Sequence, residues 1–523
     1  MNSFAFLEKS ARQWPDTVAL LHGAESLTYR QFRDRALAVG GNLRALGCEA
    51  GDRVAFCLAN SPRVLEVIFG CFAAGLVVVP VNARLHAREL AYIVGNCGAK
   101  VLVHGPEFAD GIAAHADLFS GLAHRVSTDD FAALLNPANA LPRAVEARPE
   151  DICWLFYTSG TTGKPKGAMW NHRMVRCVIM NYLADLYNIQ PGEIVLHCAP
   201  MSHGSGVSAL PAIARGATNA ITESASFDVD HLFATVERLK VSHIGFMAPT
   251  QIIKMLEDHR PGRYDLSSLK AICYGGAPIY VDQLKQAMAT FGPVFVQLYG
   301  QGEAPITITG LTAAAHQKLF EANDPRIGSA GQVRTDVEAH CVDADDNPLP
   351  AGQAGEVVVR GDVVMPGYWN NPEASAETLR GGWLHTGDIG YFDEQGFLFL
   401  LDRATDMVIS GGNNVYPREV EEVIILHPKV ANCVVFGIPD DYWGEAVHAV
   451  IVVKPGAALT AGEIITFCGE HMAGYKKPKA VDFADELPVS GYGKILRREV
   501  RDAYWAGVEG RIGGGAGATK VPE

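Results

Sequence analysis

Residues 157–167 read Tyr-Thr-Ser-Gly-Thr-Thr-Gly-Lys-Pro-Lys-Gly, and the reading of the fold starts from this stretch. It holds two hydroxyl pairs, Thr158/Ser159 and Thr161/Thr162, with Gly160, Gly163 and Gly167 and the lysines Lys164 and Lys166. The apolar run 152–156 before it predicts a buried strand. Residues 168–170 predict a short extended piece, and Asn171 an N-cap for a helix over 172–187. Glycine lets backbone N–H groups approach a ligand closely and adopt positive φ. Hydroxyls and ammonium groups add donors, and nothing in the stretch is anionic. That is the chemistry of a polyphosphate cradle, set against the plainer reading of a surface loop. Gly160 and Gly163 stand too close together for G-x-x-x-x-G-K-[ST].

Around this stretch, 523 residues exceed one ordinary core and predict at least two domains. An apolar content of 48% and a charged content of 20% suit a globular chain. A formal charge of −14 argues against a nucleic-acid binder. No apolar run reaches membrane-spanning length. Residues 1–14 lack a basic region followed by an apolar one, so no secretory signal is expected. The 11 cysteines are scattered singly, which predicts buried thiols in a reducing cytoplasm. No H-x-x-x-H pair occurs, and no structural metal is expected.

Upstream, helical periodicity over 29–46, 62–74 and 87–96 alternates with strand-like runs at 53–58, 76–80 and 100–104. This alternation predicts an α/β fold with a largely parallel sheet. Residues 108–149 are weakly patterned and read as connecting structure. Downstream, strands are predicted at 194–198, 242–247, 270–274 and 294–298. The first is followed by Met201-Ser202-His203-Gly204-Ser205-Gly206. The third ends in Gly275-Gly276-Ala277-Pro278, and the fourth in Tyr299-Gly300-Gln301-Gly302-Glu303. Crevices at the carboxyl ends of such strands commonly hold ligands. From 328 to 361 the chain turns β-rich, as a small antiparallel sheet or barrel. Trp383-Leu384-His385-Thr386-Gly387-Asp388 follows, whose Asp388 suits two ribose hydroxyls or an Asx-turn. Farther on stand Asp402-Arg403, a helix over 417–426, strands over 431–437 and 446–453, the basic run Tyr475-Lys476-Lys477-Pro478-Lys479, and Gly491-Tyr492-Gly493-Lys494.

Taken in order, these motifs resemble those of the adenylate-forming superfamily: acyl-CoA synthetases, peptide-synthetase adenylation domains and luciferases. The resemblance covers nearly the whole chain. It implies a large N-terminal domain of α/β sheets with a small β-barrel-like part over 1–402 and a hinge at 403–406. A smaller, mobile α+β domain over 407–508 and a disordered tail over 509–523 complete the expectation. The resemblance places Thr158, Ser159, Gly160, Thr161, Thr162, Gly163, Lys164 and Lys166 on ATP phosphates. Gly276, Ala277 and Pro278 would flank adenine, and Tyr299 would stack on it beside Gly300, Gln301 and Gly302. Glu303 would face Mg²⁺, and Asp388 and Arg403 the ribose. Lys494, Glu303 and Thr158 would be catalytic. His203, Ser208, Phe246, Met247, Gly275, Gly276 and Ile306 would line the acid pocket. Gly411, Gly412, Trp443, Lys476 and Lys477 would approach coenzyme A, and Thr405 would be the hinge. Two positions depart from the pattern. Gly302 replaces a threonine, and Thr405 replaces an Asp or Lys.

The implied activity is ATP-dependent acid:CoA ligation with ATP, Mg²⁺ and coenzyme A. The partner is a small carboxylic acid; no nucleic acid is expected, and a homodimer is left open. Gln297 and Leu298 precede Tyr299, where dicarboxylate activators often carry Arg, so malonate is not expected. Residues 201–210 contain no Asp to hold an amino-acid ammonium. The pocket residues include no fixed cation, which predicts an apolar tail, either a medium- or long-chain fatty acid or an aromatic acid. Carrier-protein loading, luciferase-like oxygenation and a non-catalytic binding protein are the alternatives.

Overall fold

The computed structural model describes residues 1–158, 164–224, 226–403, 406–410, 413–440, 443–489 and 495–505. The chain forms two compact units. The first comprises Met1–Pro278, Gln286–Ala339 and Val359–His385; the second comprises Ile279–Lys285, His340–Val358 and the chain from Thr386 onward.

The first unit carries two large sheets. Six strands order as His124–Ser127, Ala99–His104, Arg53–Cys57, Val77–Val81, Ile152–Thr158 and Lys166–Asn171. The first five are joined in parallel and the last is antiparallel. Every residue of Val77–Val81 is buried, as expected of a parallel strand covered on both faces. Helix Pro62–Ala74 begins with proline in its first turn and stops at Gly75, whose φ is 67°; both choices suit a helix boundary.

The second large sheet has nine strands. Its order is Gln332–Val333, Thr309–Leu311, Phe295–Tyr299, Ala271–Gly275, His243–Met247, Ile194–His197, Thr218–Ile221, Val18–His22 and Glu25–Thr28. The strands from Phe295–Tyr299 to Val18–His22 run parallel, and both edges are antiparallel. Parallel pairing brings the carboxyl ends of these six strands to one side of the sheet. The motifs at 201–206, 275–278 and 299–303 all leave from that side.

The small β-rich part is a four-stranded sheet in the order Val337–Val342, Gly355–Gly361, Leu384–Phe392, Leu398–Arg403. The second unit holds a five-stranded sheet. Its strands order as Asn413–Val415, Val408–Ser410, Gly444–Val453 and Val430–Asp440, with Ala480–Phe483 also paired to Gly444–Val453. Val420, Ile424, Ile464 and Cys468 seal one face of it. The fold is thus mixed α/β with a large N-terminal sheet part and a smaller C-terminal one.

Two local expectations change. The helix expected over 172–187 is α only over His172–Asn181 and then widens into a π-turn, Tyr182–Leu186. Residues 108–149 are not merely connecting, since His124–Ser127 forms the edge strand beside Ala99–His104. All 11 cysteines are free thiols. No helix among the described residues is long and apolar enough to cross a membrane.

Candidate active site

Glu303 is the centre of a polar cluster in the first unit. It is 8% exposed. Its Oε1 accepts a hydrogen bond from Tyr368 Oη at 2.6 Å and one from Thr158 Oγ1 at 3.3 Å. Its backbone carbonyl accepts from the Met365 amide at 2.9 Å. Lys166 Nζ lies 5.3 Å from the centre of the Tyr368 ring. The hairpin Ile152–Thr158/Lys166–Asn171 sets both ends of the glycine-rich stretch, with Thr158 opposite Lys166 in register. Residues far apart in sequence thus meet at one carboxylate. Tyr368 received no role from the sequence; its one signal was an aromatic residue in the glycine- and proline-bounded run 367–372.

Aromatic rings pack beside Gly302. Trp154 stacks on Trp170, Trp170 on Phe156, and Phe156 meets His203 edge-on at 5.1 Å. Trp170 Nε1 donates to the Gly302 carbonyl at 2.6 Å. A Cβ at Gly302 would lie 2.3 Å from Thr158 Cγ2 and 2.8 Å from Phe156 Cδ1. The space a side chain at 302 needs is therefore filled by Thr158 and Phe156. The loop after Tyr299 is equally tight. Gln301 N donates to Ala304 O at 2.9 Å, and a Cβ on Gly300 would meet Ile306 N at 2.4 Å. Ile306 has φ of +48°, a strained conformation for a β-branched residue.

Among the expected pocket residues, Gly275 is buried and Gly276 has φ of +77°, with Phe246 Cζ 3.4 Å from where its Cβ would be. Phe246 also lies 3.1 Å from a Cβ at Gly204. Phe246 and Ile306 pack against one apolar cluster that includes Tyr182, Leu186 and Leu298. Met247 is fully buried, and Ser208 spends its hydroxyl on the carbonyls of Gly204 and Ser205. Burial pushes the His203 imidazole down to about 3, so it is neutral at ordinary pH. His197 is held between Ser205 Oγ and Asn219 Oδ1, each at 3.0 Å. Tyr299 is buried, Ala277 half-buried and Pro278 exposed.

In the second unit, Asp388 and Arg403 are register partners on adjacent strands and form an ion pair at 3.2 Å. The Asp388 amide donates to Thr386 Oγ1 at 3.1 Å. Trp443 is 37% exposed, with Lys479 Nζ 5.0 Å from its ring centre. Lys476 pairs with Glu419, Lys477 is half-buried, and Lys164 in the first unit is exposed. Ser159, Gly160, Thr161, Thr162, Gly163, Thr405, Gly411, Gly412 and Lys494 lie outside the described residues. Val489 and Ile495, which flank Lys494 in sequence, pair as an antiparallel bridge.

One buried cation in the first unit was missed by sequence reasoning. Arg334 is 5% exposed and donates from Nη1 to the Asp185 carbonyl at 3.1 Å. A lone arginine just after a two-residue strand gives no hint of burial.

The Glu303 cluster lies just beyond the carboxyl end of Phe295–Tyr299, in the parallel part of the nine-stranded sheet. Residues 7–369 match the AMP-binding enzyme family, and residues 419–494 match the AMP-binding enzyme C-terminal domain. The chain belongs to the AMP-binding enzyme family. It is 39% identical over 498 residues to a feruloyl-CoA synthase of Amycolatopsis, covering 95% of this chain and 98% of that one. It is 34% identical to a long-chain fatty acid–CoA ligase of Mycobacterium tuberculosis, covering 92% and 94%. The solved anthranilate CoA ligase bound to anthranoyl-AMP superposes with a TM-score of 0.89 at 28% identity, covering 96% and 97%.

Proposed function

We propose that this enzyme activates an aromatic or fatty carboxylic acid as its acyl adenylate and transfers the acyl group to coenzyme A. The observation that carries the reading is the meeting of Thr158 and Tyr368 on the Glu303 carboxylate, with Lys166 over the Tyr368 ring. In the first half-reaction an oxygen of the acid attacks the α-phosphorus of ATP. The bond to the bridging oxygen breaks, and pyrophosphate leaves. In the second, the CoA sulfur attacks the acyl carbon, the bond to AMP breaks, and the thiol proton passes to solvent. The adenylate supplies the leaving group, so no protein nucleophile is required. The free cysteines fit that scheme, since burial raises the thiols of Cys57, Cys97 and Cys273. They also support a cytoplasmic setting.

Within this reading, Lys166 and the 158–164 stretch hold the ATP phosphates, and Asp388 with Arg403 receives the ribose. Phe246, Ile306 and His203 enclose the acid. Lys494 would act on the carboxylate and α-phosphate, and Trp443 and Lys477 would serve coenzyme A. Glu303 suits Mg²⁺, because Oε1 is fixed by two donors while Oε2 accepts no hydrogen bond among the described residues. No group of three or more His, Cys, Asp or Glu suited to a metal occurs among the described residues. When bound, Mg²⁺ would neutralise phosphate charge.

ATP–pyrophosphate exchange across arylacrylic, benzoic and fatty acids, followed by thioester assay, tests the reading. Acid-dependent exchange and CoA thioester are expected. No exchange with any acid would remove the adenylation step. Exchange with transfer only to a carrier protein or amine would remove the CoA step.

A further inference from the structure

Arg334 is a buried cation whose donors are only partly used. Its amide donates to the Ile308 carbonyl at 3.1 Å, and Nη1 donates to the Asp185 carbonyl at 3.1 Å. Nε and Nη2 are buried and reach no acceptor. The carboxylate of Asp185 is turned away to Thr335, accepting from its amide at 2.9 Å and from its hydroxyl at 2.7 Å. Burial lowers the guanidinium to about 10, against the opposing effect of Asp185, so it is still charged at neutral pH. Buried donors in native proteins almost always have partners, and a desolvated charge is costly unless compensated.

The surroundings are shaped for this group. A Cβ on Gly310 would lie 1.5 Å from Nη2, so the guanidinium rests on the sheet where glycine alone leaves room. Gly310 is the register partner of Leu298. Leu298 shares its apolar cluster with Tyr182 and Leu186, which bracket Asp185, and Phe246 and Ile306 pack against that cluster. Ile308, which fixes the Arg334 backbone, is two residues beyond Ile306. The π-turn Tyr182–Leu186 presents the Asp185 carbonyl to Nη1; such turns recur at functional sites.

We infer that Arg334 is a polar anchor at the far end of the acid pocket. It donates from Nε and Nη2 to a ring oxygen on an aromatic substrate, opposite the carboxylate that is activated. The inference rests on the ligase reading above and narrows its substrate to aromatic acids bearing a distal oxygen acceptor. It departs from the expectation of a pocket without a cation. A site built around a buried donor discriminates strongly against an analogue that lacks the acceptor.

The test is pyrophosphate exchange with 4-hydroxycinnamate, 4-methylcinnamate and cinnamate, using wild type and Arg334→Met. Hydroxyl and methyl are close in size, so their ratio isolates the acceptor. Wild type should favour the hydroxylated acid in kcat/KM by roughly tenfold or more over its methyl analogue, mainly through KM. In Arg334→Met the ratio should fall to near one. A wild-type ratio near one, or a ratio unmoved by Arg334→Met, would overturn the inference while exchange with cinnamate kept the ligase reading intact. If Arg334→Met fails to fold, the wild-type ratio decides alone. Absence of exchange with every acid would remove both.

Discussion

At position 302 a glycine stands where the resemblance leads to threonine, and the neighbours explain why a side chain is not tolerated. Phe156 is clamped between Trp170 and His203 and cannot withdraw, and Thr158 is held by Glu303. Gly302→Thr should therefore destabilise the first unit by roughly 1–3 kcal/mol, the scale of overpacking a filled site. Thr158→Ser, which removes the nearest methyl, should recover part of that loss. Chemical denaturation of the single and double variants measures the coupling; a Gly302→Thr protein as stable as the parent would refute the steric account. Glu303 makes a second case. In Glu303→Gln the side-chain oxygen still accepts from Tyr368 and Thr158, so the fold should persist while the charge is lost. Acyl-adenylate formation should fall on the order of 10²–10³-fold, with a raised Mg²⁺ requirement. Tyr368→Phe keeps the charge and should cost less, roughly tenfold or more, as outer partners of a ligand do. An unchanged Mg²⁺ dependence in Glu303→Gln would take Glu303 out of the metal's reach.

Regular elements were legible in proportion to how apolar and how sharply bounded they are. The strands that lead into the motifs are short apolar runs stopped by glycine or proline, and their positions followed from that pattern. Thr218–Ile221 and His124–Ser127 were not seen, because Thr-Asn-Ala-Ile and His-Arg-Val-Ser carry no apolar run. Their pairing is supplied by strands distant in sequence. The π-turn was hidden because Tyr182, Leu183 and Leu186 continue a helical repeat. The same elements bury four histidines whose titration should be visible. His172, His197, His243 and His316 are each pushed down to about 4, chiefly by burial. In the unfolded chain histidine titrates near 6.5. Between those values the unfolded state binds protons that the folded state refuses, so stability falls as the pH drops from about 6.5 to about 4. Each histidine should contribute roughly 1–3 kcal/mol of that loss. Thermal unfolding from pH 7 to 4.5 should show a steadily falling Tm. A flat Tm across that window would mean that these imidazoles are not held neutral.

Across the whole molecule, the motif order identified the family, but the partners within each unit were beyond sequence. Tyr368 and Glu303 are too far apart to be associated by spacing, and Arg334 looks like a surface residue until its burial is known. Arg497 is a third such case. Its Nη1 pairs with Asp402 at 2.7 Å and Asp406 at 3.4 Å, and its Nη2 with Glu421 at 2.9 Å. The side chains of Asp402 and Glu421 are only 5% and 6% exposed. Leu496 N donates to Pro488 O at 2.8 Å, and Val489 bridges Ile495. The chain on both sides of 490–494 is therefore tied into the second unit, and the fork of Arg497 fixes the downstream side. Lys494 stands three residues before Arg497 in the sequence, so variants at both positions test whether this stretch serves adenylation. Lys494→Ala should slow acyl-AMP formation on the order of 10²–10³-fold, the scale of one lost charged stabiliser. Given synthetic acyl-AMP and CoA, it should form thioester at close to the parent rate. Arg497→Lys keeps the charge but cannot reach three carboxylates at once. It should therefore reproduce the same split more weakly, with adenylation reduced and thioester formation spared. Arg497→Gln leaves two buried carboxylates uncompensated and should lower the stability of the second unit by about 3–5 kcal/mol. Each half-reaction is to be run separately on the lysine variants. Equal slowing of both halves by Lys494→Ala would mean that the lysine supports structure and not the first transition state. A selective loss in Lys494→Ala that Arg497→Lys does not share would mean that the arginine holds its helix without setting the lysine.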